Sequence, residues 1–187
     1  MNMIDDFLAD AREHMEKSVE ATRQKFTSVR TGRASTALLD RIMVEYYGAQ
    51  TPLKQLATVS APEARLLTVQ PYDKGSIKGI EKAIQESDVG LVPNNDGQLI
   101  RLQVPELTEE RRKQLVKVVR NLAEEGRVAI RNIRRDTMHE LRELRDAGEA
   151  GSDDEHRAEE ALQKLTDAKV AELDALLKGK EEEILEV

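Results

Sequence analysis

Ile4, Leu8, Ala11, Met15, Val19, Thr22, Phe26 and Val29 recur at steps of three and four, which places them on one face of an α-helix. A second series runs Leu115, Val119, Leu122, Ala129, Ile133, Thr137, Leu141 and Leu144. A third runs Ala158, Ala161, Leu162, Leu165, Ala168, Leu173, Leu176 and Leu177. No such helix can bury its apolar stripe alone, so three of them together predict a three-helix bundle. Between the first and second stripes the period changes. Ile42, Val44 and Tyr46 alternate with Met43, Glu45 and Tyr47, as in a strand. Leu66–Val69 and Leu99–Val104 are strand-like as well, and Ser76–Glu86 carries Ile77, Ile80 and Ile84 on one face of a short helix.

Proline and capping residues set the boundaries. All five prolines (Pro52, Pro62, Pro71, Pro93, Pro105) lie in the middle third. Proline inside a helix costs about 3 kcal/mol, so only the proline-free flanks suit long helices. Gly32 stands where the first helix should stop. Thr108 is placed to cap the second helix, with Glu109 and Glu110 at its positive end. That helix would reach about Ala147, a length of roughly 60 Å at 1.5 Å per residue, before Gly148 and Gly151. Ser152-Asp153-Asp154-Glu155 has the capping-box pattern for the third. Pro93-Asn94-Asn95-Asp96-Gly97 reads as a loop or turn. The expected fold is therefore α+β. Residues 1–30 and 105–187 form a long three-helix bundle. Residues 31–104 form a small β/α/β domain inserted between helices 1 and 2. Hinges are expected near 31–32 and 104–105, at Arg30, Thr31, Gly32, Arg33, Val104 and Pro105.

Charge changes this picture more than composition does. The chain has 187 residues and no cysteine, which excludes disulfides, thiolate nucleophiles and cysteine-ligated zinc. The acidic start, with Asp5 and Asp6, is unlike a secretory or transit signal. No stretch approaches the roughly 20 apolar residues of a membrane span, so a soluble cytoplasmic protein is expected. The net charge of −7 speaks against nucleic acid, but the mean hides a segregation. Thr108–Arg145 holds eleven Lys or Arg against seven Asp or Glu. Asp146–Val187 holds five against fourteen.

On a helical wheel of about 100° per residue measured from Ile133, taken as facing the core, seven arginines share one outward sector. Arg120, Arg127, Arg131, Arg134, Arg135, Arg142 and Arg145 fall between roughly 100° and 200°, with Glu124 as the sole acid among them. A helix that needs only solubility mixes its signs, and arginine's planar fork suits phosphate. Arg127, Arg131, Arg134 and Arg135 are the expected contacts to an RNA backbone, with Arg111, Arg112 and Lys113 extending the surface. The competing reading pairs these arginines with the acidic third helix. The aromatics are Phe7, Phe26, Tyr46, Tyr47 and Tyr72, too few to stack single-stranded bases. Recognition should be of folded RNA through its phosphates. Tyr46 and Tyr47 should face opposite sides of their strand. His14, His139 and His156 are isolated, and Asp136 with His139 makes a surface pair rather than a metal site. There is no glycine-rich phosphate loop. No cofactor and no enzymatic activity are expected.

Four motifs carry a resemblance across essentially the whole chain: Arg30-Thr31-Gly32-Arg33-Ala34, Tyr46-Tyr47-Gly48, Thr108-Glu109-Glu110-Arg111-Arg112-Lys113 and Arg131-Asn132-Ile133-Arg134-Arg135-Asp136. Their order and spacing resemble the ribosome recycling factors. Thr51-Pro52-Leu53, Glu81-Lys82-Ala83-Ile84 and Leu165-Thr166-Asp167 resemble the family too. The resemblance implies an L-shaped monomer that binds the post-termination ribosome and, with the translational GTPase elongation factor G, splits the subunits and releases messenger and deacylated transfer RNA. It implies that Arg112, Arg131 and Arg134 meet large-subunit ribosomal RNA, with Arg30 and Arg33 near the hinge. Gly126, inside the long helix, is a departure expected to soften it. The alternative to this function is a helical-bundle chaperone or adaptor that works through its acidic third helix.

Overall fold

The computed structural model describes residues 2–186; Met1 and Val187, the ends of the expected bundle, lie outside it. In chain order the elements are α1 (Met3–Thr27), a 3-10 turn (Thr36–Leu39), β1 (Met43–Tyr46), β2 (Ala49–Pro52), α2 (Leu53–Leu56), β3 (Ala57–Glu63) and β4 (Leu66–Pro71). A second 3-10 turn (Lys74–Ser76), α3 (Ile77–Glu86), β5 (Pro93–Asn95), β6 (Ile100–Gln103), α4 (Glu109–Asp146) and α5 (Ser152–Leu185) follow. The chain divides into two compact units. One runs to Phe26 and resumes at Gln114; the other is Thr27–Lys113.

In the first unit the three stripes meet. Ala11, Met15 and Val19 of α1 pack with Ile130 and Leu141 of α4 and with Ala158, Leu162, Leu165 and Leu173 of α5. The ends are set by local chemistry. Asn2 accepts the Asp5 N–H at 2.9 Å and opens α1. Thr108 Oγ1 accepts the Arg111 N–H at 3.1 Å and opens α4. At the far end of α4, Gly148 adopts φ +72°, Gly148 N–H bonds Arg145 C=O, and Glu149 N–H bonds Leu144 C=O. That is a Schellman stop, which needs a residue free to take positive φ. Two expected ends differ. α1 stops at Thr27, short of Gly32, and Ser152 does not cap α5. The cap position is Gly151, without a side-chain bond, and Glu155, the expected fourth member of the box, is drawn to Arg145 instead.

Gly126 is a close-packing point rather than a soft spot. A Cβ there would stand 2.6 Å from Thr22 Oγ1 of α1 and 3.0 Å from Leu173 Cδ1 of α5. The missing side chain lets three helices converge, which offsets glycine's helix penalty of about 1 kcal/mol.

The second unit is built on a four-stranded antiparallel sheet in the order β3-β4-β6-β5, with β1 and β2 as a separate antiparallel hairpin. Val69 of β4 pairs with Ile100 of β6, and Leu67 with Leu102; all four are fully buried. Ile77, Ile80 and Ile84 of α3 complete the core together with Leu39, Val44 and Leu53. Part of the expected Pro93–Gly97 loop is strand. β5 is an edge strand, where proline's missing N–H leaves no ladder bond unmade. Tyr46 and Tyr47 do not split across a strand, because Tyr47 has left it with φ +49°. Their rings meet edge-to-face at 4.5 Å, and Tyr47 is 87% exposed.

The crossings between units were expected at 31–32 and 104–105. Within Thr27–Lys113, Val104 is fully buried and its N–H bonds Arg65 C=O, and Gly32 at φ +83° lies against Leu107. These contacts hold residues on both flanks of the expected insert to its own unit.

Candidate nucleic-acid interface

α4 positions the arginines, and the direction of its core face decides where each one points. The buried residues Val119, Ala123, Gly126, Ile130, Thr137 and Leu141 centre roughly 50° from Ile133, on the Arg134 side. Ile133 itself is only half-buried at the stripe's edge. Measured from the true centre, the arginine sector is a flank beside the core, not the outward face. This corrects the wheel, and it brings most of the arginines within reach of α5.

Four of the seven pair with α5. Arg120 Nε donates to Glu181 Oε1 at 2.6 Å. Arg127 donates from Nε (2.9 Å) and Nη2 (2.6 Å) to Asp174 Oδ1. Arg142 Nε lies 3.9 Å from Glu159 Oε1. Arg145 Nη1 donates to both oxygens of Glu155, at 3.1 and 2.9 Å. As numbers rise along α4 they fall in step along α5, the register of two antiparallel helices locked by charges beside their seam. The hydrogen bond to Glu181 raises the Arg120 pKa, and the bond to Asp174 raises that of Arg127. For Arg145 the hydrogen bond to Asp146 is the larger cause and Glu155 adds to it. The competing reading of the sequence therefore holds for these four. Arg127, expected to contact RNA, has its side chain only 19% exposed and is held from two sides, because Glu124 also accepts its Nη1 at 3.0 Å.

Arg131, Arg134 and Arg135 stand apart from this ladder. Arg131 Nη1 donates to Glu124 Oε1 at 3.2 Å, on its own helix. Bonds from Arg127 first, and then Arg131, lower the Glu124 pKa. Arg135 Nε lies 3.5 Å from its neighbour Asp136, and both are exposed. Among the described residues the Arg134 side chain has no hydrogen-bond or ion-pair partner, and its Nε is sealed from solvent without an acceptor. Arg134, Arg135 and Arg142 line a shallow surface depression of about 520 Å³ with Asp136, Met138 and His139. His139 Nε2 is 3.2 Å from Glu143. Among the described residues no cluster of three or more His, Cys, Asp or Glu is grouped to hold a metal.

The remaining expected residues lie in the second unit. Arg112 is half-buried with an unpartnered Nε. Lys113 pairs with Glu109 at 3.0 Å, and Arg111 and Arg33 are engaged within the chain. Arg30 and Thr31 are half-buried, and Pro105 is exposed. Sequence reading offered the acidic third helix as a partner without naming the residues that pair. The signal was present: Arg120, Arg127 and Arg134 step by seven, as do Glu181, Asp174 and Asp167. Opposite charges at heptad spacing on neighbouring helices indicate a ladder.

The family model described as "Ribosome recycling factor" matches residues 22–185. A ribosome-recycling factor of Rubrobacter xylanophilus is 56% identical over 180 residues, covering 96% of this chain and 97% of its own length. One from Carboxydothermus hydrogenoformans is 52% identical over 185 residues, 99% of this chain and all of its own. A solution structure of the ribosome recycling factor covers both chains completely at 41% identity, with a TM-score of 0.84. Models of the T. thermophilus factor and the E. coli elongation factor G, bound to the E. coli post-termination complex, include a chain 49% identical to this one. That chain is matched over its full length at a TM-score of 0.69.

Proposed function

Since the chain belongs to the ribosome recycling factor family, a family of non-enzymatic translation factors, we propose that α4 is the surface by which it docks on the ribosome. Its function is ribosome recycling after termination. The docking partner is the phosphate backbone of large-subunit ribosomal RNA, and elongation factor G is the GTPase that acts with it, as in the T. thermophilus and E. coli assembly. Arg131, Arg134 and Arg135 carry the contact, with Arg112 at the start of the helix. Arg127 serves the fold first, through Asp174. The crossings near residues 31–32 and 104–105, with Arg30 and Arg33 beside the first, form the hinge through which the GTPase displaces one unit. The protein works in the cytoplasm as a monomer. No helix among the described residues is long and apolar enough to cross a membrane.

One observation carries the docking assignment: Arg134, beside Arg135 and Arg142 at the depression, has no partner among the described residues. A buried cationic donor without an acceptor is rare in a folded protein. Arginine's fork matches phosphate oxygens.

The test is binding to isolated large ribosomal subunits across a salt series, with circular dichroism to check helix content. Wild-type affinity should fall steeply with salt. Arg131→Glu/Arg134→Glu should lose most of the affinity and flatten the log–log slope by roughly 0.7–0.9 for each phosphate that is no longer neutralised. Arg127→Ala should keep the slope and lower the melting temperature by about 3 °C, a loss of about 1 kcal/mol. Wild-type binding by the double charge reversal would show that these arginines are a solvated face.

A further inference from the structure

The heptad series on α4 and α5 predicts three rungs: Arg120 with Glu181, Arg127 with Asp174, and Arg134 with Asp167. The first two are closed at 2.6 Å. The third is open. Arg134 is unpartnered, and Asp167 instead accepts the Gln163 side-chain N–H at 2.8 Å, one turn back on α5.

Register does not account for the opening, because Arg134 and Asp167 fall on the same step that sets Arg120 opposite Glu181, Arg127 opposite Asp174 and Arg142 opposite Glu159. Arg127 and Arg134 are both half-buried and Arg120 is exposed, so burial does not separate the closed rungs from the open one. The ladder resumes at Arg142, 3.9 Å from Glu159, and continues at Arg145 with Glu155. At the open rung Asp167 is within an i, i+4 step of Gln163, a neighbour relation on any helix surface.

We propose that Gln163 is a positioning residue for ribosome docking: by holding Asp167 along α5 it keeps the third rung open and leaves Arg134 available to an external phosphate. Without Gln163, Asp167 is free to rotate toward Arg134, and the charge-assisted pair that forms is an intramolecular competitor for the RNA backbone. The chain thus uses its arginines in two ways. Closed rungs set the helix register, and the open rung leaves its arginine without a carboxylate from α5. This rests on the docking role given to Arg134 above.

The experiment uses the full-length protein in four forms: wild type, Gln163→Ala, Asp167→Asn and the double variant. The first readout is the Arg134 Nε–H resonance by NMR. In wild type, Asp167→Asn should leave it in place. In the Gln163→Ala background the same change should move it, because there the pair has formed. The second readout is binding to isolated large subunits across a salt series. Gln163→Ala should bind about fivefold more weakly, with a log–log slope lower by roughly 0.7–0.9, the value of one phosphate neutralised. The double variant should regain the wild-type affinity and slope. A resonance indifferent to Asp167→Asn in both backgrounds overturns the proposal. A resonance that couples only in Gln163→Ala, with affinity unchanged, keeps the rung device and removes Arg134 from the docking surface.

Discussion

The two units bury the same kinds of residue but close their edges differently. In Thr27–Lys113 the core is sealed by apolar side chains from sheet, hairpin and helix, with fourteen buried residues in one cluster. The helical unit has a narrower apolar cluster of nine buried residues spread over three long helices. Its flank between α4 and α5 is a run of arginines and carboxylates. Exposed ion pairs add little stability, since each exchanges hydration for attraction and fixes two long side chains. Their value lies in register. A smooth apolar seam tolerates sliding by a turn, whereas a charge ladder at fixed steps penalises it. One unit closes its edge with apolar side chains, and the other uses part of its charge to align its helices.

The sharpest way to break this comparison is to open one core and watch the other. Ile80 is fully buried under the sheet. Ile80→Ala should cost about 3 kcal/mol, the lost transfer energy plus the cavity it leaves. Hydrogen exchange should accelerate at Leu67, Val69, Ile100 and Leu102, while Ile130 and Leu165 keep their protection. Equal acceleration in both sets would mean that the units open as one.

Gly126 sharpens the other side. Alanine in a helix gains about 1 kcal/mol over glycine, but here its Cβ would meet Thr22 Oγ1 at 2.6 Å. That oxygen is itself held, because Thr22 donates to Ser18 C=O at 3.0 Å. Gly126→Ala should therefore destabilise the protein by about 1–2 kcal/mol, as overpacking does. In a Thr22→Ala background the sign should reverse, leaving only the flexible end of Leu173 to give way. Chemical denaturation of the four variants measures this directly. A loss of the same size in both backgrounds would shift the obstruction from Thr22 to Leu173.

Much of this was legible in the sequence, and the limits have physical causes. The three stripes and the proline-rich middle located the helices and the insert, because period and proline act locally. Thr108 capped as expected for the same reason. What failed depended on distant partners. Ser152 lost its capping box because Arg145, on another helix, holds Glu155. Gly126 read as a weakness because nothing local shows that Thr22 and Leu173 converge on it. The arginine sector read as outward because the wheel was centred on Ile133, which lies at the stripe's edge. Arg127 and Arg134 are seven residues apart and alike in sequence, yet one is tied to Asp174 and the other has no partner among the described residues. Only the pairing of two helices separates them.

The smallest expected effect lies in the second unit, where charge acts within a turn instead of along a seam. The pKa of Asp96 is lowered from 3.8 to about 2. The backbone N–H of Gln98 is the largest cause, followed by the Arg101 side chain and the N–H of Leu99. Oδ1 accepts from Gln98 at 3.0 Å and from Leu99 at 2.8 Å, while Arg101 Nη1 reaches Oδ2 at 2.7 Å. A carboxyl whose folded pKa is depressed adds stability that is fully present above its unfolded value. That stability is lost as pH falls through the folded value. Asp96→Asn keeps an acceptor for the two N–H groups but loses the charge facing Arg101. The melting temperature of the variant should fall slightly below wild type at pH 6, and the gap should hold down to about pH 4. It should then shrink to a small remnant by about pH 2, where the wild-type carboxyl is half protonated. A gap that persists at full size at pH 2 would place its origin in the amide's fit to the turn, and the charge on Asp96 would have no part in holding β5 to β6.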